Sequence, residues 1–71
     1  MKEYTVIYEK GKRNWSAYVP DLPGCIATGK TRPMVERKIA EAIKFHIEGM
    51  MESGIPVPMP SIVAGTVKIS A

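Results

Sequence analysis

Residues 19–31 read VPDLPGCIATGKT, and this stretch decides how the chain folds. Pro20 has no amide hydrogen to donate to a sheet, and Pro23-Gly24 suits the two central positions of a type II turn. We therefore predict that one strand ends here and that the chain turns a corner before the next strand begins. The corner residues are Pro20, Asp21, Leu22, Pro23, Gly24 and Cys25.

The corner contains the only aspartate and the only cysteine of the 71 residues, which raises the question of a reactive site. We predict an architectural role instead. Asp21 should cap backbone amides within the turn, as aspartate commonly does, and Cys25 should open a buried strand.

The sequence before the corner predicts a β-hairpin. Residues 3–9 alternate strand-forming side chains, and residues 15–19 place Trp15, Ala17 and Val19 on one side of a second strand. The polar stretch KGKRN at 10–14 should form the turn between them. Beyond the corner, residues 25–29 should form a third strand.

The sequence after the corner predicts one helix and a last strand. Thr31 can cap a helix whose apolar residues recur every three or four positions from Val35 to Met50, and Gly54 should end it. IPVPMP at 55–60 has a proline at every second position, which favours an extended connector. Residues 62–69 alternate Val, Gly, Val and Ile with smaller or polar residues, as in a fourth strand.

The predicted fold is therefore α+β with the order β-β-β-α-β, forming one domain over residues 1–71. Its four-stranded mixed sheet carries the helix on one face, and the last strand runs parallel to the first. The other face and the free edges are where we expect another chain to bind. The expected contact residues are Tyr4, Val6, Tyr8, Trp15, Val63 and Val67.

Composition narrows the class of protein. The chain is 45% hydrophobic and 24% charged, and no apolar run approaches the roughly 20 residues that cross a bilayer. A lone cysteine excludes an internal disulfide, and the opening MKEYTVIYEK lacks the apolar stretch of a secretion signal. We expect a cytoplasmic protein without a membrane segment.

The sequence offers few residues that could act together in catalysis or metal binding. Glu3 and Glu9 would lie on the order of 20 Å apart along a strand, too far to share one metal ion. Cys25 would need a base, and the only histidine, His46, lies in the helix beside the apolar stripe. One cysteine and one histidine fall short of a zinc site. We predict no enzyme, no catalytic residue, no metal and no cofactor.

The basic turn leaves a second possibility open. Lys10, Lys12 and Arg13 precede Trp15, and such a cluster could contact phosphates while the indole stacks on a base. Turns between strands are also charged simply because they face water. The alternative function is therefore a self-assembled orphan module with weak, salt-sensitive RNA binding through the hairpin from Lys10 to Trp15.

The run WSAYVPDLPGCIATGKT, followed by RPMVERKIAEAIKFHIEGMMESG and IPVPMP, closely resembles small members of the HicB antitoxin family. Ala17 to Cys25 match the family pattern without a gap. The resemblance implies a reduced ribonuclease H-like fold without catalytic carboxylates. It also implies assembly as a homodimer or tetramer. It also implies a protein partner, the mRNA-cleaving HicA toxin, which the antitoxin neutralises by direct contact in a type II toxin–antitoxin system.

Two features depart from that family pattern. Many members carry a C-terminal DNA-binding segment, and we expect none here because the sequence ends after the predicted fourth strand. The formal net charge is +3, whereas attraction to a basic toxin would favour an acidic inhibitor.

Overall fold

A computed structural model describes residues 2–70. Three short strands, β1 (Ile7–Lys10), β2 (Trp15–Tyr18) and β3 (Ile26–Gly29), precede one helix, α1 (Arg32–Glu52). The strands form an antiparallel sheet in the order β1-β2-β3, so that β2 is central. The first turn is closed by the Gly11 amide, which donates to the Asn14 carbonyl at 2.7 Å. The predicted hairpin and third strand are thus confirmed, although each strand is shorter than expected.

The corner between β2 and β3 is built from two consecutive turns. The Leu22 amide donates to the Val19 carbonyl, and the Cys25 amide donates to the Leu22 carbonyl, each at 3.0 Å. Gly24 has φ of 87°, the left-handed value that the third position of a type II turn requires. The predicted type II turn at Pro23-Gly24 is confirmed.

Local sequence defines both ends of α1. The Thr31 side chain accepts a hydrogen bond from the Met34 amide, and Pro33 lies in the first turn. At the other end Gly54 has φ of 69°, and the amides of Gly54 and Ile55 donate to the carbonyls of Met51 and Met50. This is a Schellman cap, which glycine allows because it has no Cβ.

The core is a thin layer between the sheet and the helix. Helix α1 packs mainly across β3 and β2. Half-buried residues from β1 and the later turns of the helix extend this layer. The fully buried side chains are Ala17, Val19, Leu22, Cys25, Val35 and Ile39.

The predicted fourth strand is wrong. Residues 55–70 form neither helix nor strand, and the sheet has three strands rather than four. Their alternation correctly signals extended chain, but a strand also needs a neighbouring edge, and none within residues 2–70 pairs with this segment. The fold is therefore β-β-β-α rather than β-β-β-α-β.

Candidate functional site

The sheet has two faces of different character. On the face toward the helix, Tyr8 of β1, Ala17 of β2 and Ala27 of β3 are cross-strand neighbours. On the opposite face, Ile7, Tyr18 and Ile26 form a row across all three strands, and Ile26 is 67% exposed. A second row of Glu9, Ser16 and Thr28 lies beside it. We call these two rows the open face.

Four of the residues predicted to form an interface do not lie on the open face. Tyr4, Val6, Tyr8 and Trp15 are half-buried and pack against the core. The apolar side chains of the open face are Ile7, Tyr18 and Ile26 instead. The sequence could have identified these residues. Side chains of a strand alternate between its two faces, so the neighbours of a buried residue point away from the helix. Val63 and Val67 are exposed in the C-terminal segment.

Asp21 links the corner to the C-terminal segment, 40 residues away in sequence. Its carboxylate accepts hydrogen bonds from the Ser61 amide at 3.0 Å, the Ser61 hydroxyl at 2.8 Å and the Ile62 amide at 3.2 Å. The predicted capping by Asp21 thus involves the amides of Ser61 and Ile62, directly after the connector, rather than those of the corner. Sequence reasoning missed this partner because the two segments meet only in the folded chain.

These hydrogen bonds also set the ionisation of Asp21. The bond from the Ser61 amide is the largest influence and holds the pKa of the carboxyl below its usual value, with smaller help from the Ser61 hydroxyl and the Ile62 amide. Partial desolvation opposes the shift. Asp21 is therefore an ionised anchor at neutral pH and is poorly suited to act as a general base.

Cys25 is buried in the core, and desolvation raises the pKa of its thiol. A raised pKa reduces the fraction of nucleophilic thiolate. His46 lies half-exposed on the helix, and no hydrogen bond joins it to Cys25 in the described part of the chain. Within residues 2–70, no three His, Cys, Asp or Glu side chains are grouped so that they could hold a metal ion.

The basic turn is only partly available for nucleic acid. Lys10, Lys12 and Arg13 are exposed, whereas Trp15 is half-buried. The Arg32 guanidinium lies 4.7 Å from the ring centroid of Tyr8 and 6.0 Å from that of Trp15. This cation–π stacking places a helix side chain beside the indole that base stacking would require.

Arg13 also lines a shallow groove of about 560 Å³ beside β3. Lys30 and Lys38 contribute two further cations, and the Lys38 ammonium donates to the Thr28 carbonyl at 3.0 Å. The groove is therefore basic and lies along the outer edge of β3. We call it the basic groove.

Within residues 2–70, no helix has an apolar stretch long enough to span a membrane. The fold and its surfaces define a small α+β domain with an apolar open face, two free strand edges and an extended C-terminal segment. Such features are typical of domains that bind other polypeptide chains.

Comparison with known proteins agrees with this class. The sequence model of the family described as "HicB_like antitoxin of bacterial toxin-antitoxin system" matches residues 4–70. The chain therefore belongs to the HicB-like antitoxin family, as its sequence had suggested.

Two curated relatives are similar to the chain. An uncharacterized 14.9 kDa protein from the rep-hol intergenic region of Haemophilus phage HP1 is 40% identical over 55 residues, which cover 78% of this chain. The UPF0150 protein Ta0767 of Thermoplasma acidophilum is 37% identical over 57 residues, which cover 79% of this chain. The match spans 41% of the phage protein and 83% of the archaeal protein.

Proposed function

We propose that the chain is an antitoxin that neutralises a HicA-type, mRNA-cleaving ribonuclease by direct protein contact, without catalysis of its own, in the cytoplasm. The observation that carries this proposal is the family match over residues 4–70. The HicA-type partner and the contact mechanism follow from the family resemblance. The meander followed by a helix is also compatible with the ribonuclease H-like fold, which stays a prediction.

We place the toxin contact on the open face. Ile7, Tyr18 and Ile26 form an apolar row next to a polar row, and mixed surfaces with an apolar centre are common in protein interfaces. Glu9 of β1 adds one carboxylate to this face, although the formal net charge of the chain is +3. A local carboxylate can attract a basic partner even when the whole chain is basic.

Co-expression with a HicA-type toxin from the same genome tests the proposal. Growth should recover, and a complex should co-purify. Ile26→Glu should abolish both effects without loss of folding, because Ile26 is exposed. Ala40→Glu introduces the same charge at an exposed position on the helix and should leave neutralisation intact. Failure of the wild-type chain to rescue growth or bind the toxin would refute the antitoxin assignment.

The basic groove favours one alternative, namely an RNA-binding module. Arg13, Lys30 and Lys38 would contact phosphates, and the loss of stacking by Trp15 would make binding weak. Replacing Arg13, Lys30 and Lys38 with alanine should then abolish retention of RNA on filters at low salt. Unchanged retention would eliminate this alternative.

A further inference from the structure

The inference concerns the outer edge of β3, which the basic groove follows. β2 is the central strand, so no strand within residues 2–70 pairs with this side of β3. The Val19 amide donates to the Cys25 carbonyl at 3.1 Å, which makes these two residues a hydrogen-bonded pair in the register of β2 and β3. Such pairs alternate with unbonded pairs along an antiparallel ladder, so the amides and carbonyls of Ile26 and Thr28 point outward. The edge therefore offers backbone groups to an added strand.

The Lys38 side chain occupies part of this edge. Its ammonium donates to the Thr28 carbonyl at 3.0 Å and so takes up one of the outward acceptors. A lysine in this position discourages pairing with other chains. The ammonium must leave the carbonyl before a strand can be added there. A carboxylate can draw it away, because a hydrogen bond to an ionised acceptor is stronger than one to a neutral carbonyl.

Two further cations lie in the basic groove without a carboxylate beside them. Arg13 comes from the hairpin turn, and Lys30 comes from the junction between β3 and α1. The one ion pair described within residues 2–70 joins Arg32 to Glu36 and involves none of the groove cations. The groove lining within the described chain contains no acidic side chain. The groove therefore favours an occupant with several negative charges.

The backbone of β3 identifies this occupant as a polypeptide. An RNA strand would use the cations, but its phosphates cannot donate to the outward carbonyls of Ile26 and Thr28. No aromatic ring lines the groove in the described part of the chain, so a base would find no stacking partner there. An extended polypeptide satisfies both features, because its backbone pairs with the edge and its acidic side chains reach the cations.

We propose that the outer edge of β3 binds an extended acidic segment of another protein by strand addition, and that Lys38 makes the acidic side chains necessary. Successive side chains of an added strand point to opposite faces of the sheet. One set meets Lys30 and Lys38 on the side of α1, and the other lies beside Ile26. The segment therefore alternates acidic and apolar residues. Because the backbone edge provides the binding, this assignment and the antitoxin assignment can fail separately.

Fluorescence anisotropy on the full chain tests the proposal with a labelled peptide of about eight residues that alternates glutamate and valine. We expect it to bind about tenfold more tightly than the matching glutamine–valine peptide. Hydrogen exchange should show new protection of the Ile26 and Thr28 amides, whereas the Ala27 amide already faces β2. Absence of binding, equal binding of both peptides, or binding without this protection would overturn the proposal.

Polyuridine RNA is the probe for the competing occupant. At equal concentration, unlabelled polyuridine should displace less of the labelled peptide than the unlabelled glutamate–valine peptide does. The reverse order would identify nucleic acid as the occupant of the groove and overturn the proposal.

A pair of lysine variants separates the role of Lys38 at the edge from general attraction by charge. Lys38→Ala frees the Thr28 carbonyl, so the glutamine–valine peptide should bind more tightly and the glutamate–valine peptide more weakly. Lys44→Ala removes the same charge from an exposed position on the same helix outside the groove, and it should change neither affinity. Both lysines are exposed, so the circular dichroism of the folded domain should be retained. If Lys38→Ala keeps the full preference for glutamate, Lys38 does not select the occupant and the proposal is wrong.

Discussion

A single carboxylate joins two parts of this protein that are distant in sequence. Asp21 lies in the corner between β2 and β3, and its three hydrogen bonds all come from Ser61 and Ile62. The corner therefore has two tasks. It redirects the sheet, and it holds Ser61 and Ile62 at the end of the proline-rich connector.

Protonation of Asp21 should weaken its hydrogen bonds with Ser61 and Ile62 and so release the connector that precedes them. Because the folded-state pKa lies below the value of 3.8 for an unperturbed aspartate, the bonds stabilise the docked connector fully above that value. This stabilisation is lost as the pH falls through the lowered pKa. Nuclear magnetic resonance should show the amide shifts of Ser61 and Ile62 titrating together with a midpoint below 3.8. Asp21→Asn should remove this titration, and a midpoint at or above the ordinary value would contradict the assigned bonds.

Gly24 should be costly to replace although it is exposed. Its φ of 87° is unfavourable for a residue with a Cβ, although no atom lies within 4 Å of the position that the Cβ would occupy. We expect Gly24→Ala to reduce the free energy of unfolding by about 1–2 kcal/mol, measured by urea denaturation.

Gly49→Ala provides the matched control. Gly49 is also exposed and also has free space for a Cβ, but it lies in α1 with ordinary helical φ. Alanine there should raise stability by up to about 1 kcal/mol. Equal effects of the two substitutions would show that backbone conformation does not determine the change in the free energy of unfolding.

Among the elements, α1 provides most of the cover for the sheet. Its N-terminal half contributes the buried Val35 and Ile39, which pack on β2 and β3. Later apolar residues on the same stripe are only half-buried, and Phe45 lies outside the stripe at 79% exposure. The helix is thus anchored mainly through its first half.

Truncating a side chain of α1 to alanine should reduce stability substantially only on the buried side of the helix. Ile39→Ala removes a buried side chain between helix and sheet, and we expect a loss of about 2–5 kcal/mol in the free energy of unfolding. Phe45→Ala should change it by less than about 0.5 kcal/mol, because the ring is exposed. Chemical denaturation followed by circular dichroism compares the two variants. A comparable loss from Phe45→Ala would mean that the outer side of the helix is covered.

At the level of the whole molecule, the small core limits the stability of a single chain. A domain of this size buries a modest fraction of its unfolded surface, and six side chains within residues 2–70 are fully buried. Self-association, if it occurs as the family resemblance implies, would couple folding to dimerisation.

The melting temperature should therefore rise with protein concentration. Dimerisation stabilises the folded state by mass action, whereas an isolated monomer melts at a temperature independent of its concentration. Differential scanning calorimetry over a hundredfold range of concentration measures the effect. A constant melting temperature for the wild-type chain would argue against coupled association.

Local sequence determined the hairpin, the corner and the helix with both of its caps. Pro23-Gly24, Thr31 and Gly54 act through backbone geometry and neighbouring amides, so their effects can be predicted without knowledge of the rest of the fold. The family, too, could be identified from the run around the corner and the helix that follows.

Tertiary structure alone decided the rest. The alternation of residues 62–69 predicts extended chain, but a strand also needs a neighbouring edge, and no strand within residues 2–70 pairs with this segment. The hydrogen bonds of Asp21 with Ser61 and Ile62, and of Thr5 with Ile62, likewise form only in the folded chain. The same holds for the open face. Ile7, Tyr18 and Ile26 became neighbours only when the strand register was set, because cross-strand contacts join residues that are far apart in the chain.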